Sequence, residues 1–352
     1  MNRQVLIGVG LLATAGMGLW AYENQKKDQD VGKPVAKVEL PSLSIPDDID
    51  KFSVKDGKKD EVVFEKKGDT WEIVKPFAAK ANQETVKSAA SNLKEVKVES
   101  HVDLRLDDQV KKDRKLDADQ AVHVVAYKGS DIKGDLTFGS NNLMMVAGKD
   151  NLVFKAKGYQ SWSFSKDLKD WRDREIFKFD DANANHLTLS NKSGDFSFTK
   201  GDKGWAGTFK GGPIERFDEQ KVKDLLLDFK SLQAEEFGDN KTDADTGLGA
   251  PEGTLTVSLK DNAGKYTLKL GKVATGDSHF ARKDGGDLIY VVSKLVSDRV
   301  LSAKEKFQKA ADAGADAAKD NAPPHGGMPP GMPGMPGMPG MPPGMGDPHG
   351  GH

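Results

Sequence analysis

The residues with the strongest chemical signature lie near the end of the 352-residue chain. Met332, Met335, Met338 and Met341 recur every three residues, and His325, His349 and His352 flank them. Thioether and imidazole donors suit copper(I), and imidazole also suits nickel. The plainer reading is a low-complexity tail in which Met is a tolerated filler, because its Gly and Pro residues oppose both helix and sheet. We prefer that reading, since the rest of the chain offers no second metal-handling feature. His101, His123, His186 and His279 each stand without another histidine within four residues, and His123 reads as a sheet-surface residue. The acidic groups Asp47, Asp48, Asp50 and Asp243, Asp245 lack the twelve-residue loop with a closing Glu that calcium requires. They read as solvated turns.

Other chemistries are absent by motif. The sequence holds no Gly-x4-Gly-Lys-Ser/Thr phosphate loop, no His-Glu-x-x-His helix and no Gly-x-Ser-x-Gly elbow. Gly8-x-Gly10-x-x-Ala13 matches a dinucleotide fingerprint only in spacing, because no strand precedes it. There is no cysteine, so thiolate nucleophiles, disulfides, cysteine zinc sites, iron–sulfur clusters and lipid attachment all fall away. Lys+Arg 52 against Asp+Glu 54 leaves a net charge of −2, which gives no electrostatic reason to expect nucleic acid. No catalytic, cofactor-binding or metal residue is assigned, and the chain is expected not to be an enzyme. A hydrolase requires that the fold bring a His and carboxylates together in a pocket.

The elements that position these residues come in two matching sets. Phe64 and Trp71 are seven residues apart, as are Phe198 and Trp205. Alternating apolar residues around a charged, Gly-containing turn make each pair a hairpin. Both tryptophans are expected to pack rather than to stack on a ligand. Each hairpin leads to a helix with a side-chain cap: Asn82 before Val86, Ala90, Leu93 and Val96, and Asp218 before Val222, Leu225, Leu226, Phe229 and Leu232. Strand pairs follow at 122–140 and 255–272, with Tyr127 to Gly139 matching Leu259 to Gly271 in spacing. A further strand follows in each set, at 151–156 and 288–292. Helical segments close both, at 165–177 and 293–307, capped by Ser165 and Ser293. The charged stretch 99–121 reads as a loop with at most a short helix. Trp171-Arg172-Asp173 reads as a helix cap with a salt-bridged Arg, or else as an interaction patch.

The expected fold class is therefore α+β: two tandem repeats of a mostly antiparallel sheet packed with helices, at 51–180 and 181–309, preceded by a single transmembrane helix. Val5 to Tyr22 is an uncharged 18-residue stretch that spans roughly 27 Å as a helix, with Trp20 and Tyr22 at the interface position. It reads as an uncleaved signal anchor within 1–22. Gly10, Thr14 and Gly18 add a small-residue ridge of the kind that pairs helices. Residues 23–50, punctuated by Pro34, Pro41 and Pro46, read as a flexible tether. Residues 310–352 form the disordered Pro/Gly/Met/His-rich tail.

The two frames Phe64/Trp71-Pro76 and Phe198/Trp205, the run Gly247-Leu248-Gly249-Ala250-Pro251, Leu268-Lys269-Leu270-Gly271 and Trp171-Arg172-Asp173 together resemble the bacterial domain of unknown function 4340 family. The first set departs from it, with Lys115-Leu116-Asp117-Ala118 where the second has its Leu-Gly-Ala-Pro turn. The resemblance implies a single-span inner-membrane protein with its body in the periplasm. It also implies a structural or interaction role beside an ABC-type transport or gliding-type assembly, with a protein partner in the cell envelope. It carries over no active residue. The alternatives are a small molecule or glycan held between the two repeats, or copper or nickel on the tail.

Overall fold

The computed structural model describes residues 38–149 and 151–310. The expected anchor, residues 23–37 of the tether, and the tail from 311 onward lie outside the described residues. Among the described residues no helix is long and apolar enough to cross a membrane.

The first half runs β1 Lys51–Asp56, β2 Val62–Lys67, β3 Thr70–Lys75, β4 Ala79–Lys80, α1 Gln83–Glu95, β5 Lys97–Val102, α2 Asp108–Asp113, β6 Val122–Lys128, β7 Asp131–Phe138, β8 Leu143–Val146, β9 Val153–Lys157 and the single turn α3 Leu168–Trp171. The second runs β10 Ala184–Asn191, β11 Gly194–Gly201, β12 Gly204–Phe209, β13 Gly212–Pro213, α4 Glu219–Phe229, β14 Glu236–Phe237, α5 Asp243–Thr246, β15 Gly253–Leu259, β16 Lys265–Thr275, β17 Ser278–Lys283, β18 Tyr290–Val292 and α6 Lys294–Val300. Each half forms one nine-stranded sheet, ordered β4-β3-β2-β1-β6-β7-β8-β9-β5 and β13-β12-β11-β10-β15-β16-β17-β18-β14. The second order is the first with each strand replaced by its counterpart. All strand pairs are antiparallel. Two antiparallel sheets with few helices make the class α+β.

The central registers correspond. Phe52 lies between Phe64 and Ala126, and Leu187 lies between Phe198 and Val257. Counting along these ladders places Tyr127 opposite Ser258 rather than the expected Leu259, because β7 reaches its partner through an irregular step at Ala126/Tyr127. Each sheet buries one face under its long helix. Val86, Ala89, Ala90 and Leu93 of α1 point into the first core, and Val222, Leu225, Leu226 and Phe229 of α4 into the second. That spacing is the apolar stripe of an amphipathic helix. Asn82 accepts a bond from the Thr85 backbone N–H and Asp218 one from Gln220, so both expected caps stop otherwise unpaired helix donors.

Several expectations are corrected. The stretch 99–121 is more than a loop: it supplies most of β5, while its short helix, α2 capped by Asp107, is as expected. The strand β5 escapes an apolar-alternation reading because it is an edge with polar residues on its exposed positions, which is how edges avoid pairing with other chains. The segment 165–177 is not one helix. Only Leu168–Trp171 turns, and Ser165 caps nothing there. Beyond it the chain is held extended by bonds from Ile176 and Phe177 N–H to the Leu232 carbonyl and by the Glu175–Gln233 bridge. The counterpart 293–307 does form α6, with the expected Ser293 cap. Finally, the tether does not reach 50. Ile45 (7 % exposed) and Ile49 (3 %) are core residues of the first half.

Candidate functional site

Each half is locked by a side chain at the first position of its long helix. Gln83 Oε1 accepts from the Trp71 backbone N–H at 2.9 Å and its Nε2 donates to the Trp71 carbonyl at 2.8 Å. In the second half Glu219 Oε2 accepts from Trp205 N–H at 3.1 Å. Both indoles are buried, so they fill cores, as expected. A second aromatic closes each core. Trp171 packs 4.9 Å from the Phe64 ring, and Phe307 packs 4.8 Å from the Phe198 ring. The backbone around them repeats as well: Asn82 N–H donates to the Trp171 carbonyl at 2.8 Å, and Asp218 N–H to that of Phe307 at 2.9 Å.

The residue after this aromatic differs, and the difference builds the junction. Arg172 follows Trp171, whereas Gln308 follows Phe307. The Arg172 side chain is only 3 % exposed, donates to Asp239 Oδ2 at 2.6 Å, and lies 3.5 Å from the Phe237 ring centroid and 5.1 Å from that of Phe77. A guanidinium removed from water needs such a carboxylate, and aromatic faces add a cation–π contribution. One ring comes from each half, so the cation ties the first sheet to the second. Of the two readings of Trp171-Arg172-Asp173, the salt-bridged Arg is the one found, with its partner in the opposite half.

Beside the clamp lies a groove of about 850 Å³ lined by Lys169, Arg174, Glu235, Glu236, Phe237 and Phe280 among others. A smaller cavity of about 260 Å³ is lined by Asp167, Lys169, Arg172 and Asp239. Lys169 contacts Glu236, a hydrogen bond that holds the ammonium pKa above its usual value. Ser278 Oγ donates to Glu235 at 3.0 Å. The lining alternates in sign and carries two phenyl rings, so it suits a partner with paired charges. Its volume falls in the range of ligand pockets.

The remaining sequence candidates lie apart from the junction groove or serve structure. Asp243 is bound by both terminal nitrogens of Arg282 at 3.1 and 2.5 Å, which holds its carboxyl below the usual range. Asp245 completes a capping box with Thr242, whose backbone N–H lowers the Asp245 pKa. Asp48 is held low by the hydrogen bond from Lys128, while Asp47 pairs with Lys94 and Asp50 accepts from Gly129 N–H. No group of three or more His or acidic residues among the described residues is arranged to hold a metal. His123 Nε2 lies 2.7 Å from Asp135 Oδ1 on the sheet surface. Asp135 lines a cavity of about 400 Å³ that His123 does not. Among the described residues no serine or threonine hydroxyl bonds to that imidazole, so the pair lacks the nucleophile of a triad. His186 bonds to Thr199 and His279 to the Asp277 carbonyl. His101 packs against Phe154.

Sequence reasoning missed Phe77, Phe237 and Asp239, the other three members of the clamp, and also Trp162. Phe237 and Asp239 lie 65 and 67 residues beyond Arg172 in the chain, with no local pattern linking them. A Trp in a polar segment was the one available signal for Trp162.

No curated protein and no solved structure matches this chain. One family model does, described as Domain of unknown function (DUF4340), over residues 71–251. The match starts within β3 and ends just before β15, so it takes in the four residues of the Arg172 clamp and parts of both sheets. It covers just over half of the chain, and the protein therefore belongs to the DUF4340 family.

Proposed function

We propose that this protein is a membrane-anchored, non-enzymatic envelope subunit whose two-sheet body docks onto a protein partner. Its halves, 51–180 and 181–309, are tandem copies of one repeat. The Arg172 clamp is the observation that carries the reading. A buried cation shared between two aromatic rings and a carboxylate is a costly arrangement unless the relative placement of the halves matters. It presents the groove with Lys169, Arg174 and Glu236 as a preformed surface, and preformed surfaces bind without an ordering cost. The uncharged stretch 5–22 supports an inner-membrane anchor with the body in the periplasm. The family resemblance supports a transport or gliding-type assembly as the site of action.

The test is co-purification from solubilised membranes after crosslinking. The native chain is expected to recover a defined partner, and Glu236→Lys with Lys169→Glu to lose it without a change in thermal midpoint. Recovery of the native chain alone overturns the reading. A second reading, a small molecule between the halves, is favoured by the groove volume and by Phe237 and Phe280. A ligand screen by thermal shift that responds in native protein but not in Phe280→Ala would establish it.

A further inference from the structure

The two halves share one strand order and part between the ninth strand and the closing aromatic. In the second half this stretch is the regular helix α6, with Val296 and Val300 buried. In the first half it is a 3-10 turn, Ser161–Ser163, that presents Trp162 at 61 % exposure. The other described tryptophans, Trp71, Trp171 and Trp205, are all buried.

The turn is held from both sides. Tyr159 stacks on Phe138 at 3.8 Å and on Phe164 at 5.7 Å, and both Tyr159 and Phe164 are buried. Asn92, buried on α1, donates to the Gly158 carbonyl at 2.7 Å and accepts from Gln160 N–H at 3.0 Å. Its counterpart in the second half, Asp228, instead binds Arg299 of α6 at 2.8 Å. The polar residue at this helix position is thus fitted to whichever segment follows, and the exposed indole stands on a fixed base.

Trp162 borders a groove of about 520 Å³ whose other lining residues are Asn82, Thr85, Ser165, Lys166, Asp167, Asp170 and Arg174. Every one of them is polar, whereas the buried core of a protein interface is depleted of charged residues. Two cations and two carboxylates cancel, so the groove has no net charge to attract an ionic ligand. Asp167 is kept ionised by its hydrogen bond from Lys59, and Asp170 lies 3.8 Å from Arg174. Lys166 Nζ lies 5.8 Å from the indole centroid, so a ligand for this site needs an apolar face for the part of the indole that the ammonium leaves open and a rim of hydroxyls for the carboxylates, amide and cations. A pyranose has that distribution: C–H groups on one face, which the negative face of an aromatic ring attracts, and hydroxyls at its edge.

We infer that the Trp162 groove is a carbohydrate-binding site for a neutral or N-acetylated pyranoside. It goes beyond partner docking and adjoins that surface, with Arg174 lining both grooves. The full-length chain is titrated with tetra-N-acetylchitotetraose, maltotetraose and cellotetraose, up to about 10 mM each, while tryptophan fluorescence is followed. A saturable change with at least one of them is expected. Trp162→Ala should weaken it at least about tenfold, Trp162→Phe should retain part of it, and Asp170→Asn should weaken it with an unaltered thermal midpoint. Silence toward all three sugars overturns the proposal, as does undiminished binding by Trp162→Ala. A photo-crosslinker at position 162 that captures a protein while the titrations stay silent likewise overturns it and assigns the indole to a protein contact.

Discussion

Trp171 and Phe307 close equivalent cores, accept equivalent backbone bonds and are followed by different residues. After the first comes Arg172, which reaches into the other half. After the second comes Gln308, which stays at home and donates to the Glu215 carbonyl at 2.9 Å. The comparison separates what the fold needs from what the junction needs. An aromatic at this position is architectural, because both halves have one on the same backbone. A cation after it is not, because only the first half has one. The same logic applies at the α2 and α5 turns. Lys115 and Gly247 both take a left-handed conformation, at φ 55° and 71°. The leucines after them, Leu116 and Leu248, are both buried. Gly139 and Gly271 lie beneath, where a Cβ would come within 2.4 Å of the Arg114 carbonyl and 2.1 Å of that of Thr246. The charged departure at Lys115 therefore keeps the backbone of the second half and carries its strain, since non-glycine residues disfavour that region.

The comparison breaks most visibly if the aromatics are not equivalent. Trp171→Ala and Phe307→Ala should each cost about 3–5 kcal/mol in urea unfolding, and a silent Phe307→Ala would dissolve the pairing. Arg172→Gln copies the second half into the first. It should lower stability by about 1.5–3 kcal/mol and split a single unfolding transition into two, whereas one unshifted transition would show that something else couples the halves. Exchanging the turn residues sharpens the point further. Lys115→Gly should gain about 1 kcal/mol and Gly247→Ala lose about as much, read as opposite shifts of the denaturation midpoint. The smallest effect is in alkali. Burial pushes the Tyr159 phenol above its ordinary value of 10.0, so the folded state keeps a proton that the unfolded chain releases. Stability is full below about pH 10 and falls as pH rises above it. Tyr159→Phe should flatten that alkaline decline in pH-dependent unfolding. A smaller slope should remain from Tyr290, which burial also raises.

Much of the two cores was legible from local chemistry. The caps Asn82 and Asp218, the stripes beginning at Val86 and Val222, and the buried Trp71 and Trp205 all follow from spacing within a few residues. What could not be read is what depends on neighbours far along the chain. The two-residue strands β4 and β14 exist only because β3 and β18 supply partners. The edge β5 hides among charges. The segment 165–177 carries a helical pattern, but Trp171 is drawn into the core and Glu175 pairs with Gln233 instead of continuing a turn. At the junction, Arg172 was recognisable as a cation seeking a partner, while Asp239 and Phe237 were not recognisable as the partners.

Gly134 lies where the second half has Tyr266, whose ring meets Phe177 and Phe179 at 5.6 and 4.9 Å. In the first half that space belongs to Ile45, which a Cβ on Gly134 would approach to 2.8 Å. The residues ahead of β1 thus act as a plug. A fragment trimmed to begin at Lys51 would leave a notch lined by apolar atoms, open to any aliphatic side chain that arrives from another molecule. The smallest piece able to fold cleanly by itself starts ahead of Ile45.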